Sequence, residues 1–495
     1  MFFVHISVEM DLSMPDSGWT TSLFTLGVTS TLGVSIPVGF NLGVINALSE
    51  YIKEWNNATL YEQHRISFST NALNTVLATI VSIFLIGGVL GSLGAAFMAD
   101  RFGRKKSYLL CGVLQTLGGV CFLCCRTFSS ITVLLIGRII VGISAGLTTG
   151  ILPMYLSEVS PTKLRGTIST LCGLGLTAGV VVGQIASLEQ ILGTADNWHL
   201  ALSSYTLLNA FCFLPYYWLP ESPKYLYSIK NDSDGALREI RKIFGRDSID
   251  DDYIKLQMEP HTKQVSIEST SPKRSFWSVM ADPSLLLPLM LVCALQGGQQ
   301  LSGISAVFFY SVSIFESVGL SSSVAKFANL GVGCLNLFIS FLGPYLMAKF
   351  NRRTLSLLSI SSCAVNLCSL TMVLQYIDAV SWFKYACISI ILLYIVGYQI
   401  GLGPIPFFIG AELFEQSSRP AAMALGSLSS WGCNFLLGIF FPVMQSAWGA
   451  FVFVPCSLSC ALLTTFVKYY LPETRGRDVS DVAVLVSKGF KSKVL

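Results

Sequence analysis

The sequence predicts an all-α membrane protein: about twelve transmembrane helices, arranged as two pseudo-symmetric bundles of six. Three observations carry this prediction. Apolar windows long enough to cross ~30 Å of hydrocarbon recur along the whole chain. Only 12% of the 495 residues are charged, with 52% hydrophobic and a mean hydropathy of +0.63, against about 25% charged in a soluble domain. Charged signatures between the windows also repeat at an offset of about 250 residues.

The spans follow in order. The first set lies near Ser22–Leu48, Leu73–Ala99, Ser107–Arg126, Ile131–Ser157, Ile168–Leu192 and His199–Leu219. The second lies near Leu285–Val312, Val324–Ala348, Thr354–Tyr376, Phe383–Gly410, Pro420–Ser446 and Phe451–Tyr470. Backbone groups in lipid must be satisfied internally, so these are helices and not strands of an open sheet. The chain therefore divides into an N-terminal segment 1–21, a bundle 22–219, a polar linker 220–283, a bundle 284–471 and a tail 472–495. Within the linker, Asp234–Phe244 reads as a short amphipathic helix and Thr262–Lys273 as a loop.

Loop charge sets the orientation. Arg101, Arg104, Lys105, Lys106, Lys163, Arg165, the linker, Lys349, Arg352, Arg353 and Arg419 fall on one side. The other side carries few cations, such as Lys53, Arg65, Lys326 and Lys384. The positive-inside rule then places both termini in the cytosol, with the plasma membrane as the expected location. The first twenty residues lack a basic segment followed by a short apolar run, so the first span is expected to act as a retained signal-anchor. Asn57-Ala58-Thr59 in the first outside loop is an accessible glycosylation sequon, whereas Asn231-Asp232-Ser233 falls on the cytosolic side.

The net charge of +4 is small and spread over many loops, which argues against a nucleic-acid partner. The fourteen cysteines lie in apolar stretches and read as small packing residues rather than a disulfide framework. The four histidines fall outside the apolar cores, so no metal site is expected. No Gly-Lys-Ser/Thr loop points to an ATP motor, and no cofactor is implied. No Asp or Glu lies in the middle of a span, so proton coupling lacks its usual acid and uniport is expected.

The halves repeat in detail. Asp100–Lys105 after the second span echoes Ala348–Arg353 after the eighth. Glu158 and Arg165 echo Glu412 and Arg419, and Pro220-Glu221-Ser222 echoes Pro472-Glu473-Thr474. Parallel six-helix repeats suggest two bundles rocking about a site near the midplane.

A neutral polyol needs amides, hydroxyls and an aromatic face inside an apolar bundle, because amides both donate and accept. The seventh span supplies Gln296, Gln299, Gln300 and Ser305, with Phe308 as its aromatic. The eighth supplies Asn336, and the eleventh Trp431 and Asn434, three apart and so on one face. The tenth is interrupted by Gly401, Gly403, Pro404 and Pro406, a break tolerated at membrane depth where it lines a cavity. Asn46, a lone buried amide, is expected only to bond neighbouring helices.

On these residues, and on the ordered series from Gly39-Phe40-Asn41 through Gln299-Gln300-Leu301-Ser302-Gly303 to Pro472–Arg477, the chain resembles the facilitative glucose transporter family. That family belongs to the sugar porter branch of the major facilitator superfamily. The resemblance implies the major facilitator fold, and facilitative uniport of glucose, fructose or both by alternating access. It also implies that Gln299, Gln300, Asn336 and Asn434 line the sugar cavity. With Ser305, Phe308, Gln399, Phe407 and Trp431 they form the candidate substrate-binding set. Proton-linked relatives carry Asp where this chain has Asn41. The resemblance further implies that Arg104, Glu158, Arg165, Arg352, Glu412 and Arg419 form gating ion pairs between the bundles. Departures from the glucose pattern are Gly173 for Gln, Ser305 for Asn, Phe407 for Trp, Gln399 for Glu and Gly297-Gly298 for Leu-Ser. The expected partners are a small sugar and membrane lipid. A carrier of urate, an inositol or dehydroascorbate, and a nontransporting sugar sensor, stand as alternatives. A membrane enzyme does not, for lack of any catalytic constellation.

Overall fold

The computed structural model describes residues 20–491 apart from 66–68, 161, 245–275, 378, 380–381, 415–417, 476, 478 and 487–488. The loop reading for Thr262–Lys273, the N-terminal segment before residue 20 and the side chain of Arg165 lie outside the described residues. All regular structure among them is helical.

The first span is α1 (Thr21–Ser30) running through a π-turn at Thr31–Ser35 into α2 (Ile36–His64). The next four are α3 (Thr70–Phe102), α4 (Arg104–Thr127), α5 (Ile131–Val159) and α6 (Thr162–Ala186). The sixth span is irregular: α7 (Trp198–Ser203), a 3-10 turn at Ser204–Leu207, α8 (Ala210–Phe213), then turns. The linker holds α9 (Pro223–Ser228), α10 (Ser233–Phe244) and α11 (Phe276–Ala281). In the second bundle the seventh span is α12 (Pro283–Leu301) plus α13 (Ile304–Ser317), followed by α14 (Ser322–Lys349) and α15 (Arg352–Gln375). The tenth span is α16 (Phe383–Ile400) plus α17 (Ile405–Leu413), followed by α18 (Arg419–Trp448), α19 (Val454–Tyr470) and a tail helix α20 (Val479–Val486).

Two expectations need correction. The segment expected as an outside loop after Leu48 is helix to His64, so Asn57 sits on α2, half-buried, with Thr59 buried beside it. Local contacts explain the extension. Glu50 pairs with Lys53 at 2.8 Å, Trp55 packs on Trp198 with ring centroids 5.1 Å apart, and Gln63 Nε2 donates to the Ser129 carbonyl at 2.7 Å. The sixth span, read as one regular helix, is broken because several of its side chains and Pro215 compete with the ladder. Ser203 and Ser204 hydroxyls bond back to the carbonyls of Leu200 and Ala201, and Pro215 has no N–H to give. This irregular segment lies against the π-turn: a Cβ on Gly33 would stand 2.5 Å from the Cys212 nitrogen.

Small residues set the packing of the first bundle. A Cβ on Gly39 would lie 1.9 Å from the Leu176 carbonyl oxygen, and one on Gly179 would lie 2.2 Å from that of Ile36. The α2 and α6 backbones therefore touch, which supplies van der Waals attraction where lipid removes any hydrophobic drive between helices.

The sequence repeat becomes a structural one at the face that carries the basic loops. Arg104 Nε meets Glu158 Oε2 at 2.8 Å, and Arg352 Nε meets Glu412 Oε1 at 3.5 Å. Glu221 accepts from the backbone N–H groups of Arg104 and Lys105 at 3.0 and 3.1 Å, and Glu473 from those of Arg352 and Arg353 at 2.9 and 3.1 Å. Each carboxylate thus caps the N-terminus of α4 or α15, where free N–H groups and the helix dipole favour negative charge. Ser222 donates to Glu158 at 2.6 Å and Thr474 donates to Glu412, completing the same cluster twice. Burial pushes the Glu221 carboxyl above the usual range, and the backbone donors pull it back.

Removing either cap should cost about 2 kcal/mol, the scale of hydrogen bonds to a charged group. Glu221→Ala and Glu473→Ala are each expected to lower the thermal unfolding midpoint of the purified protein by ~4–8 °C, with the Gln variants intermediate; equal midpoints for all four and the parent would exclude the capping role.

Candidate substrate cavity between the bundles

The polar centre of the chain is built from two broken helices that repair each other. The seventh span breaks at Ser302 and Gly303, where Gly303 takes φ +90°, a conformation that only glycine adopts cheaply. The tenth breaks between Ile400 and Ile405, leaving carbonyls without helical partners. Gln299, on the last turn of α12, fills the gap: its Nε2 donates to the carbonyls of Leu402 and Gly403 at 2.9 and 2.8 Å. Gln296, one turn earlier, donates to the Pro406 carbonyl at 3.2 Å. Ser359 on α15 completes the repair, donating to Gly397 O at 2.7 Å and accepting from the Leu402 N–H at 2.8 Å.

Gln300 points elsewhere. Its Nε2 donates to Ser430 Oγ on α18 at 3.1 Å, and its Oε1 accepts from Ser305 Oγ on α13 at 2.9 Å. These contacts bring Gln300, Ser305 and Ser430 together as a polar face, with Gln300 and Ser430 half-buried, Ser305 buried, and Trp431 next along α18. Trp431 meets Phe84 of the first bundle edge-on with centroids 6.2 Å apart, and a Cβ on Gly88 would stand 2.4 Å from its ring. Gly88 is therefore a position where the first bundle must present no side chain to the indole.

Asn336 on α14 and Asn434 on α18 are 4% and 8% exposed. Each leaves its Oδ1 buried without a partner. An unpaired buried carbonyl of this kind costs about 1–3 kcal/mol, which a hydroxyl donor would recover. Gln399 is buried beside Gly403, whose Cβ would lie 2.5 Å from the Gln399 Oε1. Phe308 is half-buried and Phe407 is 56% exposed. Gly173 is exposed and faces open space, with nothing within 4 Å of an added Cβ. Gly297 and Gly298 instead serve packing, their Cβ positions falling 2.5 Å from Ser429 Oγ and 2.6 Å from Leu463.

The arrangement differs from the expectation in two ways. Gln299 spends its donor on backbone carbonyls, and its oxygen takes the Gln300 Nε2 at 3.5 Å, so it holds the break together rather than facing a ligand. Among the described residues of the charged set expected to pair across the bundles, Arg104–Glu158 and Arg352–Glu412 each lie within one bundle in this conformation, and Arg419 Nε donates to the Phe414 carbonyl at 3.2 Å. Sequence reasoning missed Ser430 and Ser359. The only signal for Ser430 is its place next to Trp431 in an apolar helix, and Ser359 gives none.

Arg138 on α5 is fully buried near the middle of the first bundle. It donates to the carbonyls of Ile80 and Asn41, each at 3.2 Å, and lies 4.7 Å over the Phe84 ring. Backbone carbonyls and a ring face, rather than a carboxylate, make these contacts with its charge.

Residues 27–485 match the Sugar (and other) transporter family. The sheep protein named solute carrier family 2, facilitated glucose transporter member 3, is 36% identical over 472 residues, covering 94% of this chain and 92% of that protein. The human protein of the same name is 35% identical over 467 residues, covering 94% and 92%. Among solved structures, the E. coli xylose transporter XylE in a partially occluded inward-open conformation superposes with a TM-score of 0.75 at 23% identity, over 92% of this chain and 100% of that one. The proton:xylose symporter XylE bound to 6-bromo-6-deoxy-D-glucose gives 0.75 at 23%, over 94% and 99%. At that identity the likeness speaks for the fold, two pseudo-symmetric bundles of six helices in the major facilitator arrangement. With the family match over nearly its whole length, this chain belongs to the sugar transporters, in their facilitative glucose transporter group.

Proposed function

We propose that this protein is a uniporter that carries a hexose, glucose or fructose, down its gradient by alternating access. The observation that carries this reading is the uncharged, under-satisfied polar lining at the seam of the bundles. Asn336 and Asn434 hold unpaired amide oxygens, Gln300, Ser305 and Ser430 present hydroxyls and an amide, and Trp431 offers a ring face. A sugar brings hydroxyls that can donate to those oxygens and an apolar ring face for the indole. A few hydrogen bonds at ~0.5–1.5 kcal/mol each, plus ring stacking, amount to roughly 4 kcal/mol, a dissociation constant of about 1 mM. Loose binding suits a carrier that must release what it captures.

Uniport follows from the chemistry around Asn41 and Arg138. The Asn41 amide donates to the Pro37 carbonyl at 2.9 Å, and its backbone oxygen takes the Arg138 bond. An amide cannot gain and lose a proton in the physiological range. The basic face is assigned to the cytosol with both termini, the membrane is assigned as the plasma membrane, and Asn57 is assigned as a glycosylation site modified before Thr59 is buried.

In proteoliposomes, labelled glucose and fructose should show counterflow, with no accumulation above equilibrium and no response to an imposed proton gradient; uphill accumulation would exclude uniport, and failure of every hexose and polyol in a panel would exclude the class. Asn336→Ala and Asn434→Ala should each raise KM roughly fivefold while leaving thermal stability near the parent, whereas Gln299→Ala should lose stability as well, since it orphans the Leu402 and Gly403 carbonyls. In cells, glycosidase treatment should shift the parent and the Asn231→Gln variant on a gel but not Asn57→Gln.

A further inference from the structure

Four polar side chains meet in the seam between the bundles, about two turns beyond the break in the seventh span and toward the face opposite the basic loops. Asn46 Nδ2 on α2 donates to Ser311 Oγ on α13 at 2.8 Å and reaches Asn329 Oδ1 on α14 at 3.5 Å. Gln184 Nε2 on α6 donates to the same Asn329 oxygen at 3.0 Å, as does Ser311 Oγ at 2.7 Å. All four residues are 2% exposed or less. About one turn nearer the rim, Lys326 of α14 crosses the seam as well. Its Nζ lies 2.7 Å from Glu189 Oε1 and 5.0 Å over the Tyr51 ring, both in the first bundle.

The cluster is strained in a particular way. One amide oxygen, with two lone pairs, receives three donors. Meanwhile Asn46 Oδ1, Gln184 Oε1 and Asn329 Nδ2 are buried without partners. A fully satisfied network would be a permanent staple. This one gives up its bonds to regain three others from water when the seam opens, so its net hold is small. Packing agrees with a closed opposite face. A Cβ on Gly438 of α18 would fall 3.1 Å from Leu85 and 3.3 Å from Ser82 of α3. At the basic face the Arg104–Glu158 and Arg352–Glu412 pairs stay inside their own bundles, and Gly173 faces open space.

We propose that Asn329 is the hub of a polar latch, with Asn46, Gln184 and Ser311, that holds the opposite face closed and sets how often it opens. The latch rests on the alternating-access reading above, but its test needs no sugar. Hydrogen exchange is followed by mass spectrometry on the full-length protein in lipid nanodiscs. Asn329→Ala should speed exchange about tenfold in segments 46–52 and 311–317 and slow it around 154–159 and 408–413, because the two faces open in exclusive conformations. Ser311→Ala, a smaller change that serves if the first variant fails to fold, should shift exchange the same way by a lesser factor. Unchanged exchange at the opposite face, or a rise at both faces together, would overturn the latch. Counterflow on the same samples separates the two ideas: an exchange shift in a protein that moves no hexose sinks the transport reading and leaves the latch standing.

Discussion

The amide of Gln299 bonded to the carbonyls of Leu402 and Gly403 is the contact on which the centre of this protein depends. A helix that breaks inside a membrane exposes backbone groups that lipid cannot satisfy. Two helices break here, the seventh at Ser302–Gly303 and the tenth after Ile400. Side chains from the seventh span and from α15 then supply the missing donors, and Ser359 supplies an acceptor as well. The break is stable because it is shared. It also turns the polar ends of both helices toward one another, which gives an otherwise apolar bundle a surface able to face a hydroxylated solute.

A second constraint operates at the basic face, where charge is organised twice by the same rule. In each bundle an arginine at the start of a helix pairs with a glutamate at the end of another, and a second glutamate after the last span caps the arginine's helix. The second copy is the looser one, 3.5 Å against 2.8 Å for the Arg–Glu contact, and its guanidinium sits over Phe408 as that of Arg104 sits over Tyr225. The sequence already carries this asymmetry, since Ala348 stands where the first copy has Asp100, which gives Arg104 a further contact at 3.4 Å. These clusters make each bundle rigid by itself, a condition for two bundles that move as bodies.

Fold class was legible because its signals are one-dimensional. Apolar length, loop charge and the offset repeat need no knowledge of what touches what, and they fix the number of spans and the equivalence of the halves. Most of the failures concern partners. Gln299 and Gln300 are adjacent amides with the same chemistry, yet one repairs backbone and the other faces Ser305 and Ser430. Nothing in their spacing separates them, because the deciding fact is the position of carbonyls a hundred residues away. Asn57 read as a loop residue since Glu50–His64 is polar, but polarity does not distinguish a loop from a helix extended beyond the membrane. Lys326 read as one of a few outside cations; its burial against Glu189 and Tyr51 depends on the two bundles meeting. Asn329 was invisible for the same reason, although it lies two turns from Asn336 on one side of α14.

That last spacing bears on how the parts work together. Asn336 lies buried with an unpaired oxygen two turns along α14, and Asn329 holds the far end of the same helix to the first bundle. Both rely on neutral amides, whose bonds are worth about 1 kcal/mol once water is counted. A charged lining would make stronger bonds to a polyol but would cost several kcal/mol to carry through a closed, dry seam. A weak lining needs a weak closure, because an interface much stronger than the ligand's contacts would trap one conformation whatever was bound. The orphaned atoms at Asn46, Gln184 and Asn329 keep the far closure on that scale. Imperfect hydrogen bonding is thus what allows two rigid bundles to exchange faces under the influence of a ligand held by a handful of hydroxyl contacts.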